Sequence, residues 1–189
     1  MSPVSLQDIL NATSLLGIAA GRDATERLLS SVMAPTNTPM ALLDFQGMEL
    51  VTASAARESI FKLASHLAEQ GTLLVCVNAN EATLDELAFA ATALKQPLVV
   101  ASVNQGDELG APRVLGQLEP VQTKTLELVG RLGEVDAKTA SQEAGDQSAG
   151  ATGWNNRLSS MASLRLLKER KVGKTKLYSL TVKGLASGN

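Results

Sequence analysis

The chain has 189 residues, 44% of them hydrophobic, and a formal net charge of −2 at pH 7. This hydrophobic content is enough to bury a core in one large domain or in two small ones. The single cysteine and single histidine exclude an internal disulfide, a cysteine metal cluster and a site with several histidine ligands.

The charge is distributed unevenly along the chain. Residues 1–117 contain 6 Lys and Arg against 12 Asp and Glu, whereas residues 118–189 contain 11 against 7. Residues 104–112 are polar and contain two Gly and one Pro, a composition typical of a domain boundary. The sequence therefore predicts an acidic domain over residues 1–103, a linker over 104–117 and a basic domain over 118–189.

In the first domain, helix-like and strand-like segments alternate. We expect a helix from about residue 21 to 33 with Asp23 as its N-cap, and a second helix that begins at Thr52 and ends before Gly71. A third helix is expected over residues 83–95. Apolar runs at residues 39–45, 72–78 and 97–103 predict buried strands, the second of which contains Cys76. This alternation is typical of an α/β domain with a mostly parallel sheet covered by helices.

The second domain begins with helical patterns over residues 121–132 and 135–144, followed by a turn over 145–151. Thr152 is a plausible cap for a further helix. In that helix Trp154, Leu158, Met161 and Leu164 recur at helical spacing and form an apolar stripe. Leu166 and Leu167 then begin a strand, residues 171–174 form a turn, and residues 176–180 return as a second strand. The domain is therefore expected to be a small α+β unit.

Polar side chains occupy the remaining surface of the Trp154 helix. Thr152, Asn155, Asn156, Arg157 and Ser159 are candidates for contact with nucleic acid. Amides such as those of Asn155 and Asn156 pair with adenine edges in a major groove, although as exposed polar residues they would have no specific role. Trp154 shares the apolar stripe, so core packing competes with stacking on a base.

The strands and turn of residues 166–180, called the basic hairpin below, are rich in cations. Lys168, Arg170, Lys171, Lys174 and Lys176 lie within nine residues, with Glu169 as the single acid among them. Such a cluster suits a polyanion, because contact with phosphates releases counterions. The alternative is a solvated lysine-rich segment that keeps the protein soluble.

Residues 118–182 resemble the winged helix-turn-helix family of bacterial regulators. The segments WNNRLSSMASLRLL and KVGKTKLYSL carry the resemblance, since helix, turn and wing follow in the family's order. The resemblance implies DNA binding, with the Trp154 helix as recognition helix and the basic hairpin as wing. Arg165 stands where such sequences usually have a glycine in the left-handed conformation.

Residues 1–103 resemble the STAS domains of anti-anti-sigma factors, through LLDFQGMELVTASAARESI at residues 42–60. The resemblance places Ser54 at the position that kinases phosphorylate in that family. This chain has Thr52-Ala53-Ser54 where those proteins commonly have an aspartate and two serines. Ser54 either caps the helix or forms, with Arg57 and Glu58, a phosphorylation or partner-contact site.

The sequence indicates no catalytic site. His66 follows Ser65 directly, so the two side chains do not face each other on a helix, and the chain has no G-x-S-x-G elbow. It also has no P-loop and no G-x-G-x-x-G motif, so we expect neither nucleotide nor cofactor. Without a leader-like or membrane-spanning run, a cytoplasmic protein is expected.

The most favoured function is a non-enzymatic regulator of bacterial transcription that binds duplex DNA, self-associates and receives a signal or partner through its first domain. One alternative is a protein-interaction adaptor regulated at Ser54. Another is a subunit of a larger nucleoprotein assembly that binds nucleic acid without sequence preference.

Overall fold

A computed structural model describes residues 2–33, 39–103, 108–145 and 149–187. The chain divides into two compact units, the first extending to Gln117 and the second running from Leu118 to Ser187. In the described residues no helix is both long and apolar enough to cross a membrane.

The first unit combines a mostly parallel sheet with helices, as expected for α/β. Its strands are β1 (Val4–Ser5), β2 (Ser14–Leu15), β3 (Met40–Asp44), β4 (Leu50–Val51), β5 (Leu73–Val77), β6 (Leu98–Val103) and β7 (Leu109–Leu115). Its helices are α1 (Leu6–Leu10), α2 (Gly17–Ser31), α3 (Ala53–Glu58), α4 (Ile60–Glu69) and α5 (Glu81–Leu94). The sheet contains β1, β3, β5, β6 and β7 in that order, and β2 pairs separately with β4.

The central strands are buried on both faces. Every residue of β5 is buried, including Cys76, and β5 pairs in parallel with both β3 and β6. Continuous apolar runs are typical of such strands, because helices cover both sides of a parallel sheet. Burial also raises the pKa of the Cys76 thiol, so it stays protonated as part of the core.

Helix α2 begins earlier than the sequence predicts. It starts at Gly17 rather than near residue 21, and its N-cap position is Leu16, which has no capping side chain, so Asp23 is not the cap. Gly21 therefore lies inside the helix, where it is buried against α3. A Cβ atom on Gly21 would lie 2.6 Å from the carbonyl oxygen of Ala55. The missing side chain is thus what lets α2 approach α3 so closely.

The expected linker contains a strand. Residues 109–115 form β7, which pairs antiparallel with β6 across a register shift. Gly110 and Pro112 suggested a linker, but Pro112 falls where the β6–β7 register shifts between Arg113 and Gly110, and proline is tolerated at such an irregularity because no ladder hydrogen bond is needed there. Residues 104–107 of the same expected linker lie outside the described residues.

The second unit contains helices and a three-stranded antiparallel sheet. In chain order it has α6 (Pro120–Leu132), β8 (Glu134–Val135), α7 (Ala137–Glu143), α8 (Ala151–Ser163), β9 (Leu167–Val172), β10 (Thr175–Leu180) and β11 (Ala186–Ser187). The sheet order is β8-β10-β9. Helix α8 packs against α6, α7 and β9, with Leu158 and Tyr178 fully buried. Residues 146–148 of the turn expected at 145–151 lie outside the described residues.

Local signals account for the starts of the first two helices of this unit. Glu119 and Gln122 form a capping box before α6, and Pro120 occupies the first turn. Asp136 caps α7 by accepting a hydrogen bond of 2.7 Å from the backbone N–H of Thr139. That bond holds the pKa of the Asp136 carboxyl below its usual value.

Helix α8 ends at a left-handed residue that is not glycine. Arg165 has a φ of +61°, the conformation that glycine usually supplies in this position. Its N–H bonds to the carbonyl of Ala162 at 3.0 Å, and the N–H of Leu166 bonds to that of Met161 at 3.2 Å. These two bonds form a Schellman motif, and buried Leu166 anchors it.

We expect Arg165→Gly to be more stable than Arg165→Ala. Both variants lose the arginine side chain, but alanine keeps the Cβ that disfavours a positive φ, whereas glycine removes this cost of about 1 kcal/mol. Urea unfolding followed by Trp154 fluorescence measures the difference, because the single tryptophan lies in the same unit. Equal stability of the two variants would show that the motif tolerates a Cβ without strain.

Candidate nucleic-acid interface

Helix α8 has one buried face and one exposed, uncharged face. Trp154, Leu158 and Met161 are at most 2% exposed. With 3.6 residues per turn, Thr152, Asn156, Ser160 and Ser163 fall on the opposite side, and all four are exposed. Asn155 flanks this face and is half-buried. The exposed face therefore offers an amide and hydroxyls but no cation.

The start of α8 differs from the sequence-based prediction. Thr152 is not the cap, because the helix begins at Ala151 and Gly150 occupies the N-cap position without a capping side chain. Thr152 is instead the second residue of the helix, and it is exposed. The threonine misled the prediction because its residue type is common at caps, whereas glycine is also accepted there.

Ser159 belongs to a polar network rather than to the free face of α8. Its Oγ lies 2.9 Å from the phenolic oxygen of buried Tyr178. The Tyr178 hydroxyl donates to Glu169 at 3.2 Å, and Lys176 donates to the same carboxylate oxygen at 3.0 Å. This chain of contacts joins α8 to both strands of the basic hairpin, so it fixes the hairpin relative to the helix.

Trp154 and Arg157 lie together on α8. The Arg157 guanidinium carbon lies 4.9 Å from the centroid of the Trp154 ring, within the range of a cation–π interaction. Trp154 is 2% exposed. Of the two interpretations of Trp154, packing in the core agrees with this burial, and stacking on a base does not.

The turn of the basic hairpin consists of two residues. Val172 pairs with Thr175, which leaves Gly173 and Lys174 as the loop, and Gly173 has a φ of +59°. Two-residue hairpins need a positive φ at the first loop position, and glycine adopts it without strain. The turn therefore projects Lys171 and Lys174 at the tip, where both are exposed.

Two of the five hairpin cations are engaged by carboxylates. Arg170 forms a two-point ion pair with Glu134 of β8, at 3.1 and 2.5 Å. Lys176 pairs with Glu169. Hydrogen bonds from Arg170 and from Lys176 lower the pKa of Glu134 and of Glu169, respectively. Both acids therefore stay ionised near neutral pH and offset the charge of their partners.

The other three cations have no such partner. Within the described ranges, no carboxylate lies within ion-pair distance of Lys168, Lys171 or Lys174. All three are exposed. When Glu134 and Glu169 are counted together with the five cations, the net charge of β8, β9, β10 and the hairpin turn is +3.

Ser54 lies near the start of α3, but it does not cap that helix. The N-cap residue is Thr52, and Ser54 is the second helical residue, with its Oγ 3.3 Å from the Thr52 hydroxyl. Glu86 of α5 accepts the backbone N–H of Ala53 at 2.5 Å. The N–H of the first helical residue is therefore bonded to a carboxylate from another helix.

Arg57 and Glu58 form part of an ion cluster. Glu58 contacts Lys62 at 2.8 Å, Arg22 at 3.4 Å and Arg57 at 3.5 Å. Its side chain is only 12% exposed, whereas that of Arg57 is 48% exposed. The hydrogen bond from Lys62 is the main cause that lowers the pKa of Glu58. Glu58 thus joins α2 to α3 and α4, and Arg57 is the more accessible of the two.

Some of these contacts were within reach of sequence reasoning and others were not. Counting outward from the Gly173–Lys174 turn places Glu169 opposite Tyr178, which the register confirms. Glu134 and Glu86, by contrast, act on residues 36 and 33 positions away. No spacing rule connects residues so distant in the chain. In the described part of the chain, no group of three metal-ligating side chains comes together.

Comparison of the chain with family models, curated proteins and solved structures found no match.

Proposed function

We propose that this chain is a non-enzymatic regulatory protein that binds duplex DNA through its second unit. In this proposal the second unit is a winged helix-turn-helix domain, α8 is the recognition helix and the basic hairpin is the wing. The first unit is a STAS-like domain that receives a signal or contacts a partner and so controls occupancy of the DNA.

The element order of the second unit supports this proposal. A helix, a short strand, two helices and a hairpin follow one another, and the sheet order is β8-β10-β9. The resemblance of residues 118–182 implies three helices followed by a wing, and α6, α7, α8 and the hairpin follow in that order. The Ser159–Tyr178–Glu169 contacts hold the hairpin beside α8, so one ligand could meet both.

The observation that carries the proposal is the set of three exposed lysines without carboxylate partners on the hairpin. A phosphate contact needs only a cation in reach, and each neutralised phosphate releases counterions. Lys168, Lys171 and Lys174 meet this requirement without breaking an ion pair of the described residues.

The exposed face of α8 adds less to affinity than the hairpin does. Asn156 offers an amide that can pair with adenine, and Thr152, Ser160 and Ser163 offer hydroxyls. Because this face has no cation, most of the binding free energy is proposed to come from phosphate contacts. Sequence preference is then modest and rests on Asn156.

A second candidate function is a protein-interaction adaptor that acts through the first unit. Leu16 and Ile18 are 53% and 43% exposed, and the intervening Gly17 donates its N–H to the Thr52 hydroxyl beside Ser54. Exposed apolar side chains next to Ser54 favour contact with a protein. A phosphate on Ser54 is less favoured, because the Glu86 carboxylate lies at the adjacent Ala53 N–H.

Fluorescence anisotropy of labelled random-sequence duplex DNA tests the proposal with the full chain. We expect affinity to fall by orders of magnitude as salt rises from about 50 to about 200 mM, since several phosphate contacts are involved. Selection from random DNA then separates a specific regulator, which enriches a motif, from an assembly subunit, which enriches none.

The same titration can reject the proposal. No binding at micromolar protein, or binding that hardly depends on salt, would contradict a phosphate-contacting hairpin and favour the adaptor. Winged helices that read two half-sites act as dimers, so the proposal includes self-association. Sedimentation velocity at several protein concentrations measures it directly.

A further inference from the structure

The described residues that line a groove on the second unit include none of the basic hairpin and none of the exposed face of α8. It is formed by α6, by Ala144 and by Trp154 and Arg157 of α8, and its volume is about 530 Å³. This volume falls within the range of about 300–1,000 Å³ that is usual for sites of small ligands.

The groove offers an apolar surface. Leu128 is 6% exposed and Trp154 is 2% exposed, so both belong to the core of the unit and line the groove from its inner side. Val121 lines it as well, although it is 43% exposed. An apolar ligand body in the groove would remove Val121 from water, which favours binding.

Two cations of α6 line the groove and form no ion pair with any described residue. Lys124 and Arg131 are exposed, and Glu127 lies between them at the i+3 and i+4 spacings that allow helical ion pairs. Yet no salt bridge joins Glu127 to either cation. Arg157 also lines the groove, with its guanidinium over the Trp154 ring. Among the described lining residues, Lys124 and Arg131 therefore lie beside a single acid, Glu127, and next to an apolar inner surface.

We infer that this groove binds a small organic acid, with its apolar body against Val121 and Leu128 and its carboxylate near Lys124 and Arg131. The apolar surface favours a ligand with an apolar body, and the two cations favour a ligand with a negative charge. A nucleic-acid backbone would satisfy the cations but leave the apolar surface unused. The inference does not depend on DNA binding, because its test uses a different ligand and a different signal.

Trp154 is the only tryptophan of the chain and lines the groove, so its fluorescence reports on occupancy. The full chain is titrated with phenylacetate and octanoate, and with phenylacetamide as the uncharged counterpart of the first. We expect a saturable change in Trp154 emission with both acids and at least roughly threefold weaker binding of the amide, because it lacks the ionised group.

Variants test the role of the cations. Lys124→Gln and Arg131→Gln should each weaken phenylacetate binding by roughly threefold, and the double variant by about tenfold, which corresponds to 1.4 kcal/mol. Lys138→Gln on α7 is the matched control, since this exposed lysine does not line the groove, and it should bind as the unaltered chain does.

Three results would overturn the inference. The first is that neither acid changes Trp154 emission. The second is that Lys124→Gln and Arg131→Gln bind phenylacetate as tightly as Lys138→Gln does. The third is that duplex DNA, but neither acid, changes Trp154 emission, and that this change is lost when Lys124 and Arg131 are replaced. That result would assign the groove to the nucleic-acid surface. If the chain did not bind DNA at all, the inference would still stand, because the acid titration does not involve DNA.

Discussion

Replacing Lys168, Lys171 and Lys174 together by glutamine should weaken DNA binding between about one hundredfold and about a thousandfold near 0.1 M salt. Each phosphate contact contributes about 0.9 to the slope of log affinity against log salt, so three contacts account for nearly three orders of magnitude at that concentration. The slope itself should fall by about 3. Anisotropy titrations at several salt concentrations measure both quantities.

The matched control removes three cations from the first unit. Lys62, Lys95 and Arg113 are exposed, and the triple glutamine variant changes the net charge equally. It should retain the affinity of the unaltered chain. If both triple variants lose affinity to the same extent, net charge rather than the hairpin governs binding, and the proposed surface is wrong.

A variant that is expected to increase DNA affinity strengthens this test. Glu134→Gln removes the carboxylate that engages Arg170, which leaves the guanidinium available for a phosphate. Affinity should then rise, by at most about eightfold near 0.1 M salt for one added contact. An unchanged affinity would mean that Arg170 does not reach the DNA.

The second large effect concerns stability. Gly21→Ala should destabilise the first unit by about 2 kcal/mol, because the new Cβ would lie 2.6 Å from the carbonyl oxygen and 2.9 Å from the Cα of Ala55. Both atoms belong to the backbone of α3, so α2 and α3 would have to move apart. The better helix propensity of alanine offsets only about 1 kcal/mol. Thermal unfolding followed by circular dichroism should show a decrease in Tm of roughly 5–10 °C.

Gly130→Ala provides the same substitution in a helix with space for it. A Cβ on Gly130 would lie 3.6 Å from a methyl group of Leu180, which is an ordinary contact. The variant should therefore stabilise the second unit by about 0.5–1 kcal/mol through helix propensity alone. Urea unfolding followed by Trp154 fluorescence measures this change. If Gly21→Ala also proved stabilising, the close approach of α2 to α3 would not exist in solution.

Sequence reasoning identified the elements that local patterns define. The Trp154–Leu158–Met161 stripe and the glycine turn located α8 and the hairpin, and the left-handed position of Arg165 was confirmed. Sequence reasoning failed where the local signal was absent or misleading. The start of α2 has no capping side chain to detect, and Pro112 concealed a strand that accommodates it at a register shift.

Long-range pairing explains the errors at the candidate sites. Ser54 was one candidate for the cap of its own helix, but the helix begins one residue earlier, and the carboxylate of Glu86 accepts the N–H of its first residue, Ala53. The hairpin cations were treated as equivalent, yet Glu134 distinguishes Arg170 from Lys171. Such contacts depend on how the elements pack in space, which the residue types and their spacing do not specify.

The positions of the acids give the hairpin an electrostatic gradient along its length. Glu134 and Glu169 lie toward its base, whereas Lys171 and Lys174 stand at the tip beyond both of them. The local potential thus becomes more positive from base to tip. An approaching polyanion experiences this gradient before any contact forms, so encounters that bring the tip in first are favoured. The hairpin would therefore govern the orientation and rate of association, while α8 governs how long a correctly matched complex persists.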